Sequence, residues 1–297
     1  MTSFGSSIRI FLTDGTVTGI KMAELVNKTI QSISCPRRRV SELSQLQESQ
    51  KPGVYFLFGQ DEETGDNKVY IGETENVYAR LQNHVSNKEF WNEVIFFVSK
   101  DENLTKAHIR FLESRLVQIA RSTKRYIVEN GNEPQASPLP RADQAAMEEF
   151  LTYIKLLLGV LGHKLLEKVA KPIKLGTTTE TSTEDSEQPL KFYLNMVGVE
   201  AQALQTDEGI VVLKGSEAVK DTKPSMGLGY KNLKEKLIKG GALQLLEDKY
   251  IFQRDVIFSA PSAAGAVVVG RNMSGPQGWK DANGKSLKEI EEEQMKK

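Results

Sequence analysis

The chain has 297 residues, 39% hydrophobic and 26% charged, which is typical of an ordinary globular protein with room for about two domains. Its 39 basic and 39 acidic side chains cancel, so any nucleic-acid surface must be a local patch, and its single cysteine excludes an intrachain disulfide and fits a reducing cytoplasm. We expect no secretory signal and no membrane span, because the N-terminus lacks a basic stretch before an apolar core and the most apolar run, 150–161, is too short.

Residues 1–50 are predicted to form an N-terminal extension. It contains a short strand at 8–12 and short helices at 21–29 and 38–46. The first of these helices is predicted because Met22, Leu25 and Val26 would lie on one side of it.

A β-β-α-β-α pattern follows within residues 51–135 and predicts a compact domain. The predicted strands are 54–58, 68–71 and 94–98, and the predicted helices are 76–90 and 105–124. Asn76 and Thr105 are suited to cap the N-termini of the two helices.

The rest of the chain is predicted to contain a helical connector, a linker and a second domain. The connector, 140–175, holds an amphipathic helix or helix pair at 143–169, suited to packing or to self-association. Residues 176–190 are small, polar and acidic, which is typical of a flexible linker. Residues 191–292 predict a small α+β domain with a hairpin at 192–214, a helix at 230–239, strands around 250–258 and a small-residue helix at 262–269.

Two tyrosines form the first element of a predicted site. Tyr55 lies in the first strand of the β-β-α-β-α pattern, and Tyr70 follows in the second after fourteen intervening residues. If Leu57 pairs with Tyr70 in a hairpin, the two phenols share one face, because side chains alternate along a strand. Aromatic strand packing is the alternative interpretation, and a slip of one residue would separate the phenols.

Charged side chains on the two helices add to this pattern. Arg80 and His84 lie at i and i+4 beside the apolar face of the first helix. On the second helix, Glu113 falls inside the apolar arc, between Ala120 and Val117 on the helical wheel. An ionised carboxylate there is costly without a cation. Metal ligation and a buried salt bridge with Arg80 both remain open.

The segments GVYFLFG, VYIGETENVYARLQNH and LTKAHIRFLESRLVQIA resemble the GIY-YIG nuclease superfamily in order and spacing. The first triplet is GVY rather than GIY, and the likeness covers about a quarter of the chain. The resemblance implies a small three-stranded antiparallel sheet flanked by helices, within the α+β class. It also implies metal-dependent hydrolysis of phosphodiester bonds with a single Mg²⁺ or Mn²⁺.

The same resemblance implies roles for the site residues. Tyr55 and Tyr70 would belong to the active centre, where one phenol activates or positions the attacking water. Arg80 would stabilise the charge that develops on the phosphoryl group, and Glu113 would hold the metal ion. His84 would contact a phosphate or transfer a proton.

Two further parts of the chain resemble features of such nucleases. The family has an asparagine after the second helix, for which Asn130 and Asn132 are available, and Asn130 is favoured. The N-terminal residues resemble an extension seen before some of these domains. Residues 191–292 resemble an uncharacterised domain often joined to them, with a role in recognition or in structure.

The sequence thus predicts a metal-dependent endonuclease acting on nucleic acid, with DNA in repair, restriction or defence as the expected context. The alternative is a nucleic-acid-binding or regulatory protein that retains the fold with little or no cutting. A homo-oligomer through 143–169 is a further expected partner. The candidate basic patches are the run 37–39 and the lysines at 231, 234, 236 and 239.

Overall fold

The structure is a computed structural model that describes residues 5–61, 65–135, 137–168 and 190–296. The chain divides into two compact units, Met1–Glu167 and Lys168–Lys297. Helices and sheets occur in both, so the predicted α+β class is confirmed. None of the helices in the described ranges is long and apolar enough to cross a membrane. Residues 176–188, most of the predicted linker, lie outside the described residues.

One sheet runs through the first unit. Its strands are β1 (Ile8–Leu12), β2 (Lys21–Leu25), β3 (Ile30–Pro36), β4 (Gly53–Gln60), β5 (Asn67–Thr74), β6 (Trp91–Ser99) and β7 (Ile127–Val128). They pair in the order β1-β2-β3-β6-β4-β5-β7. All neighbours are antiparallel except β5 and β7, which are parallel.

The expectation of a three-stranded sheet is wrong, because the sheet has seven strands. The three predicted strands, now β4, β5 and β6, form its antiparallel centre. The outer edge of β6 would leave main-chain N–H and C=O groups without partners, and β3 pairs with this edge from Glu93 to Ser99. The chain before residue 51 is therefore part of the same sheet.

The helix predicted at 21–29 is also wrong, because this segment forms β2 and the turn after it. Ala23 and Leu25 are buried while the residues between and before them are half-buried, which is the two-residue alternation of a strand. Asn27 has a φ of 63° and turns the chain into β3. Pairing with β1 and β3 on both sides outweighs the local helical pattern. The helix predicted at 38–46 is a 3-10 helix, Arg37–Gln45, followed by a second one, Gln47–Gln50.

Three α-helices pack on this sheet: α1 (Val77–Asn87), α2 (Lys106–Thr123) and α3 (Arg141–Val160). The predicted caps are confirmed for the first two. The side chain of Asn76 accepts from the N–H of Ala79 at 2.9 Å, and that of Thr105 accepts from the N–H of His108 at 3.4 Å.

The two faces of the sheet carry separate cores. On the face that we call the α1 face, Tyr55, Leu57 and Phe96 pack with α1 and the 3-10 helices. On the other, the α2 face, Phe56 and Phe97 pack with α2 and α3. Strand β4 is buried on both faces, which explains its uninterrupted apolar sequence.

Helix α3 covers the α2 face with its apolar side. The buried residues are Met147, Phe150, Leu151, Ile154, Leu157 and Leu158. This side is therefore occupied within the same chain, and self-association through 143–169 stays a prediction.

The second unit contains two smaller sheets and four helices within its described residues. One sheet pairs β14 (Val256–Phe258), β10 (Gly209–Val212), β9 (Val199–Thr206) and β8 (Lys191–Met196), in that order. The other pairs β11 (Glu217–Val219), β13 (Lys249–Phe252) and β12 (Leu243–Leu246). The helices are α4 (Leu228–Lys239), α5 (Pro261–Val269), α6 (Gly275–Gly278) and α7 (Leu287–Gln294). The predicted helices at 230–239 and 262–269 are confirmed as α4 and α5.

Candidate functional site

The two tyrosines lie together on the α1 face. Leu57 pairs with Tyr70 in the β4–β5 register, which is the register that the sequence analysis assumed, and Tyr55 pairs with Gly72. The ring centroids of Tyr55 and Tyr70 are 6.2 Å apart. Tyr55 is fully buried, whereas Tyr70 is half-buried and can be reached from solvent.

Gly72 makes room for the Tyr55 phenol, a role that the sequence analysis missed. A Cβ atom built on Gly72 would collide with the hydroxyl and the ring of Tyr55. The last residue of the Tyr70-Ile71-Gly72 triplet must therefore lack a side chain for the phenol to lie across β5.

Arg80 and His84 project from α1 onto Tyr55. The Tyr55 oxygen lies 2.7 Å from Nε2 of His84 and accepts a hydrogen bond from Nε of Arg80 at 3.3 Å. Arg80 can only donate, so the single hydroxyl proton of Tyr55 is available to the imidazole. Which partner donates in the contact between Tyr55 and His84 depends on which imidazole nitrogen carries the proton.

Burial sets the protonation of this pair. Burial, with the charges of Arg80 and Lys88, lowers the pKa of His84 to about 4. Burial also raises the pKa of Tyr55 well above its ordinary value, although Arg80 opposes the shift. At neutral pH both groups are uncharged, so Tyr55 is a poor base and a good positioning group.

Glu113 lies on α2 beside the end of β5. Burial and the carboxylate of Glu73 raise the pKa of Glu113 to about 7, while the main-chain N–H of Glu73 and the charges of Arg80 and Arg110 oppose the shift. Within the described part of the chain no cation lies at ion-pair distance from Glu113, so the salt bridge with Arg80 is not formed. Arg110 instead lies 3.7 Å from Glu73.

Asn130 is bound to the main chain of β5. Its Oδ1 accepts from the N–H of Ile71 at 3.1 Å, and its Nδ2 donates to the carbonyl of Ile71 at 2.7 Å. Asn130 is buried and Asn132 is exposed. Strand β7 pairs with the edge of β5, and the side-chain amide of Asn130 extends this pairing by bonding to Ile71. Asn130 therefore fixes the strand that carries Tyr70.

The structure brings together Tyr55, Tyr70, Arg80 and His84, with Glu113 close enough to be affected by the charge of Arg80. It also adds Lys88, which the sequence analysis missed, since its Nζ lies 4.4 Å from the centroid of the Tyr70 ring. The only sequence signal for Lys88 is its position one helical turn after His84.

Several side chains of the predicted basic patches bind other parts of the chain. Arg37 donates to main-chain carbonyls at the end of α1, and Arg39 pairs with Asp14 and Glu42. Lys234 is buried and donates to the carbonyl of Val219. Arg37, Arg39 and Lys234 are therefore occupied by contacts within the chain, whereas Arg38 and Lys239 are exposed.

Carboxylates that could hold a metal ion are few at this site. Among the described residues, no group of three or more His, Cys, Asp or Glu side chains is arranged to hold an ion. Glu113, with Glu73 beside it, is the acidic pair that the site offers.

Comparison with known proteins gives a family match for one part of the chain. Residues 192–291, about a third of the chain, match a family described as a domain of unknown function (DUF4357). Neither the curated proteins nor the solved structures give a significant match. The matched residues lie in the second unit and include none of the candidate site residues.

Proposed function

We propose that residues 51–135 form a metal-dependent nuclease domain of the GIY-YIG type that hydrolyses phosphodiester bonds in DNA. The observation that carries the proposal is Glu113. A half-buried carboxylate without a cation partner lies close enough to Arg80 to be affected by its charge, and Arg80 in turn contacts Tyr55 of the tyrosine pair. Such a carboxylate is costly in a protein that does not use it.

The acidic pair fits a single divalent cation. Mg²⁺ binds proteins through one or two carboxylates, and water and substrate complete its coordination, so a three-residue cluster is not required. Glu113 would hold the ion, with Glu73 as the neighbouring carboxylate. When bound, the ion would supply positive charge that stabilises the phosphoryl group as negative charge develops on it.

Arg80 would supply the second positive charge. Its side chain is largely exposed, and no carboxylate pairs with it among the described residues. Its Nε donates to Tyr55, which orients the guanidinium group. A planar guanidinium held in this way is suited to binding two phosphate oxygens.

The two phenols would have different roles. Tyr55 is buried between His84 and Arg80, so its role is to orient Arg80. Tyr70 is the accessible phenol and would position the attacking water. A neutral His84 can receive a proton through Tyr55, which is consistent with the predicted role in proton transfer.

The alternative, a nucleic-acid-binding protein with little or no cutting, draws on the balanced net charge of the chain. In this alternative the protein keeps the fold and the phosphate contacts, but Glu113 has no catalytic role. Binding and cutting must therefore be measured separately.

The test is incubation of the full chain with duplex DNA, single-stranded DNA and RNA, each with Mg²⁺, with Mn²⁺ and with EDTA. We expect metal-dependent cleavage of DNA and a loss of about 100-fold or more in Glu113→Gln. Glu149→Gln is the control, because that exposed carboxylate pairs with Lys28 away from the site. Equal cleavage by the wild type and Glu113→Gln would contradict the nuclease assignment, and tight binding without cleavage would favour the alternative.

A further inference from the structure

Lys88 is held beside the candidate site by the end of α1. Its main-chain N–H donates to the carbonyl of His84 at 3.0 Å and closes the last turn of the helix. Its side chain is half-buried, and Nζ lies over the Tyr70 ring, 4.4 Å from the centroid. The ammonium group is therefore placed by contacts on both sides rather than left free in solvent.

Several other cations of the first unit are neutralised by carboxylates. Lys68 lies within 3.2 Å of Asp61 and 3.3 Å of Glu129. Lys106 pairs with Glu75 at 2.6 Å, and Arg110 lies 3.7 Å from Glu73. These groups contribute little positive potential toward a ligand.

Arg80 and Lys88 differ from these groups. In the described ranges of the chain, neither has a carboxylate within ion-pair distance. Arg80 contacts Tyr55, and Lys88 lies over Tyr70. Both charges contribute to the lowered pKa of the same buried imidazole, that of His84. Two positive charges without carboxylate partners produce a local positive potential that attracts an anion.

The spacing of the two residues suits an extended anion. They are eight positions apart in the chain, and their charged groups contact two neighbouring rings. The cations flank two rings whose centroids are 6.2 Å apart. A single inorganic ion would satisfy one of them, whereas a strand with a phosphate at every nucleotide can satisfy both.

We infer that Lys88 binds a backbone phosphate of the nucleic-acid substrate, next to the scissile phosphate that Arg80 contacts. This inference rests on the proposed function and adds the path of the substrate strand, which runs along α1 across the face of Tyr70. A lysine acts there as a point charge, so it contributes affinity without a sequence preference.

The experiment measures binding of a labelled DNA duplex to the full chain carrying Glu113→Gln, in EDTA, over a series of salt concentrations. We expect Lys88→Gln to weaken binding to different sequences equally and to reduce the slope of log K against log salt by about 0.9, the value for one phosphate contact. Lys88→Arg should restore the slope. Lys28→Gln is the matched control, because it removes the same charge from an exposed lysine paired with Glu149.

The outcomes separate this inference from the proposed function. If the Glu113→Gln protein binds DNA and Lys88→Gln leaves the slope unchanged, the role of Lys88 is wrong and the nuclease proposal stands. If the Glu113→Gln protein binds no nucleic acid at low salt, the proposed function fails. Urea unfolding of Lys88→Gln, expected within about 0.5 kcal/mol of its parent, shows that the fold is retained.

Discussion

The hydroxyl group of Tyr55 lies across β5 at the position that a side chain on Gly72 would occupy. The glycine and the phenol therefore depend on each other. The same phenol contacts His84 and Arg80, so a change at Gly72 is transmitted to both.

We predict that Gly72→Ala destabilises the protein by about 2 kcal/mol or more, because the new methyl group forces the buried Tyr55 ring aside. Urea unfolding gives the free energy of unfolding, and an accompanying loss of activity would reflect displacement of Arg80. Gly159→Ala is the control, since a Cβ atom there meets nothing within 4 Å. Equal stability of Gly72→Ala and the wild type would show that Tyr55 can move without cost.

Asn130 provides a second prediction. Asn130→Ala leaves the main-chain N–H and carbonyl of Ile71 without their partners in a buried place, which costs about 2–4 kcal/mol. Asn132→Ala, two residues further along and exposed, should change the free energy of unfolding by less than about 0.5 kcal/mol. A larger loss from Asn132→Ala would identify it as the structural asparagine instead.

Protonation of His84 should make the free energy of unfolding depend on pH in a defined direction. Its pKa is about 4 in the folded protein and about 6.5 when unfolded, so the unfolded state binds more protons between these values. This residue therefore makes stability fall as the pH drops from about 6.5 to about 4, by about 3 kcal/mol at most. His84→Gln should remove that part of the pH dependence of urea unfolding.

Nuclear magnetic resonance checks the same prediction directly, because the chain has three histidines and their ring signals can be assigned by substitution. The His84 ring should remain neutral at pH 5.5. Protonation near pH 6.5 would mean that the imidazole is open to water and not bonded to Tyr55.

Glu113 should link stability to divalent metal. In EDTA near pH 8, Glu113→Gln should be more stable than the wild type, on the order of 2 kcal/mol, because it removes a charge from a partly desolvated position. Mg²⁺ or Mn²⁺ should raise the melting temperature of the wild type and leave that of Glu113→Gln unchanged. If Glu113→Gln is destabilised and metal has no effect on either protein, Glu113 has a structural role.

Part of the site was predictable because it depends on short-range geometry. Strand alternation placed Tyr55 and Tyr70 on one face once Leu57 was assumed to pair with Tyr70, and helical spacing placed Arg80 beside His84. The inward position of Glu113 followed from the helical wheel alone. The seven-stranded sheet could not be predicted in this way, since the pairing of β3 with β6 joins segments about sixty residues apart.

The sequence by itself determined three strands and two helices between residues 51 and 135, because periodicities of 2 and 3.6 residues are local properties of the chain. It did not predict β7. Only the tertiary structure decided which charges remain without partners. It buries Tyr55 against His84, binds Asn130 to Ile71, and leaves Arg80 and Lys88 without carboxylates among the described residues. Burial and ion pairing depend on contacts with distant segments of the chain. They therefore cannot be predicted from the spacing of residues within one segment.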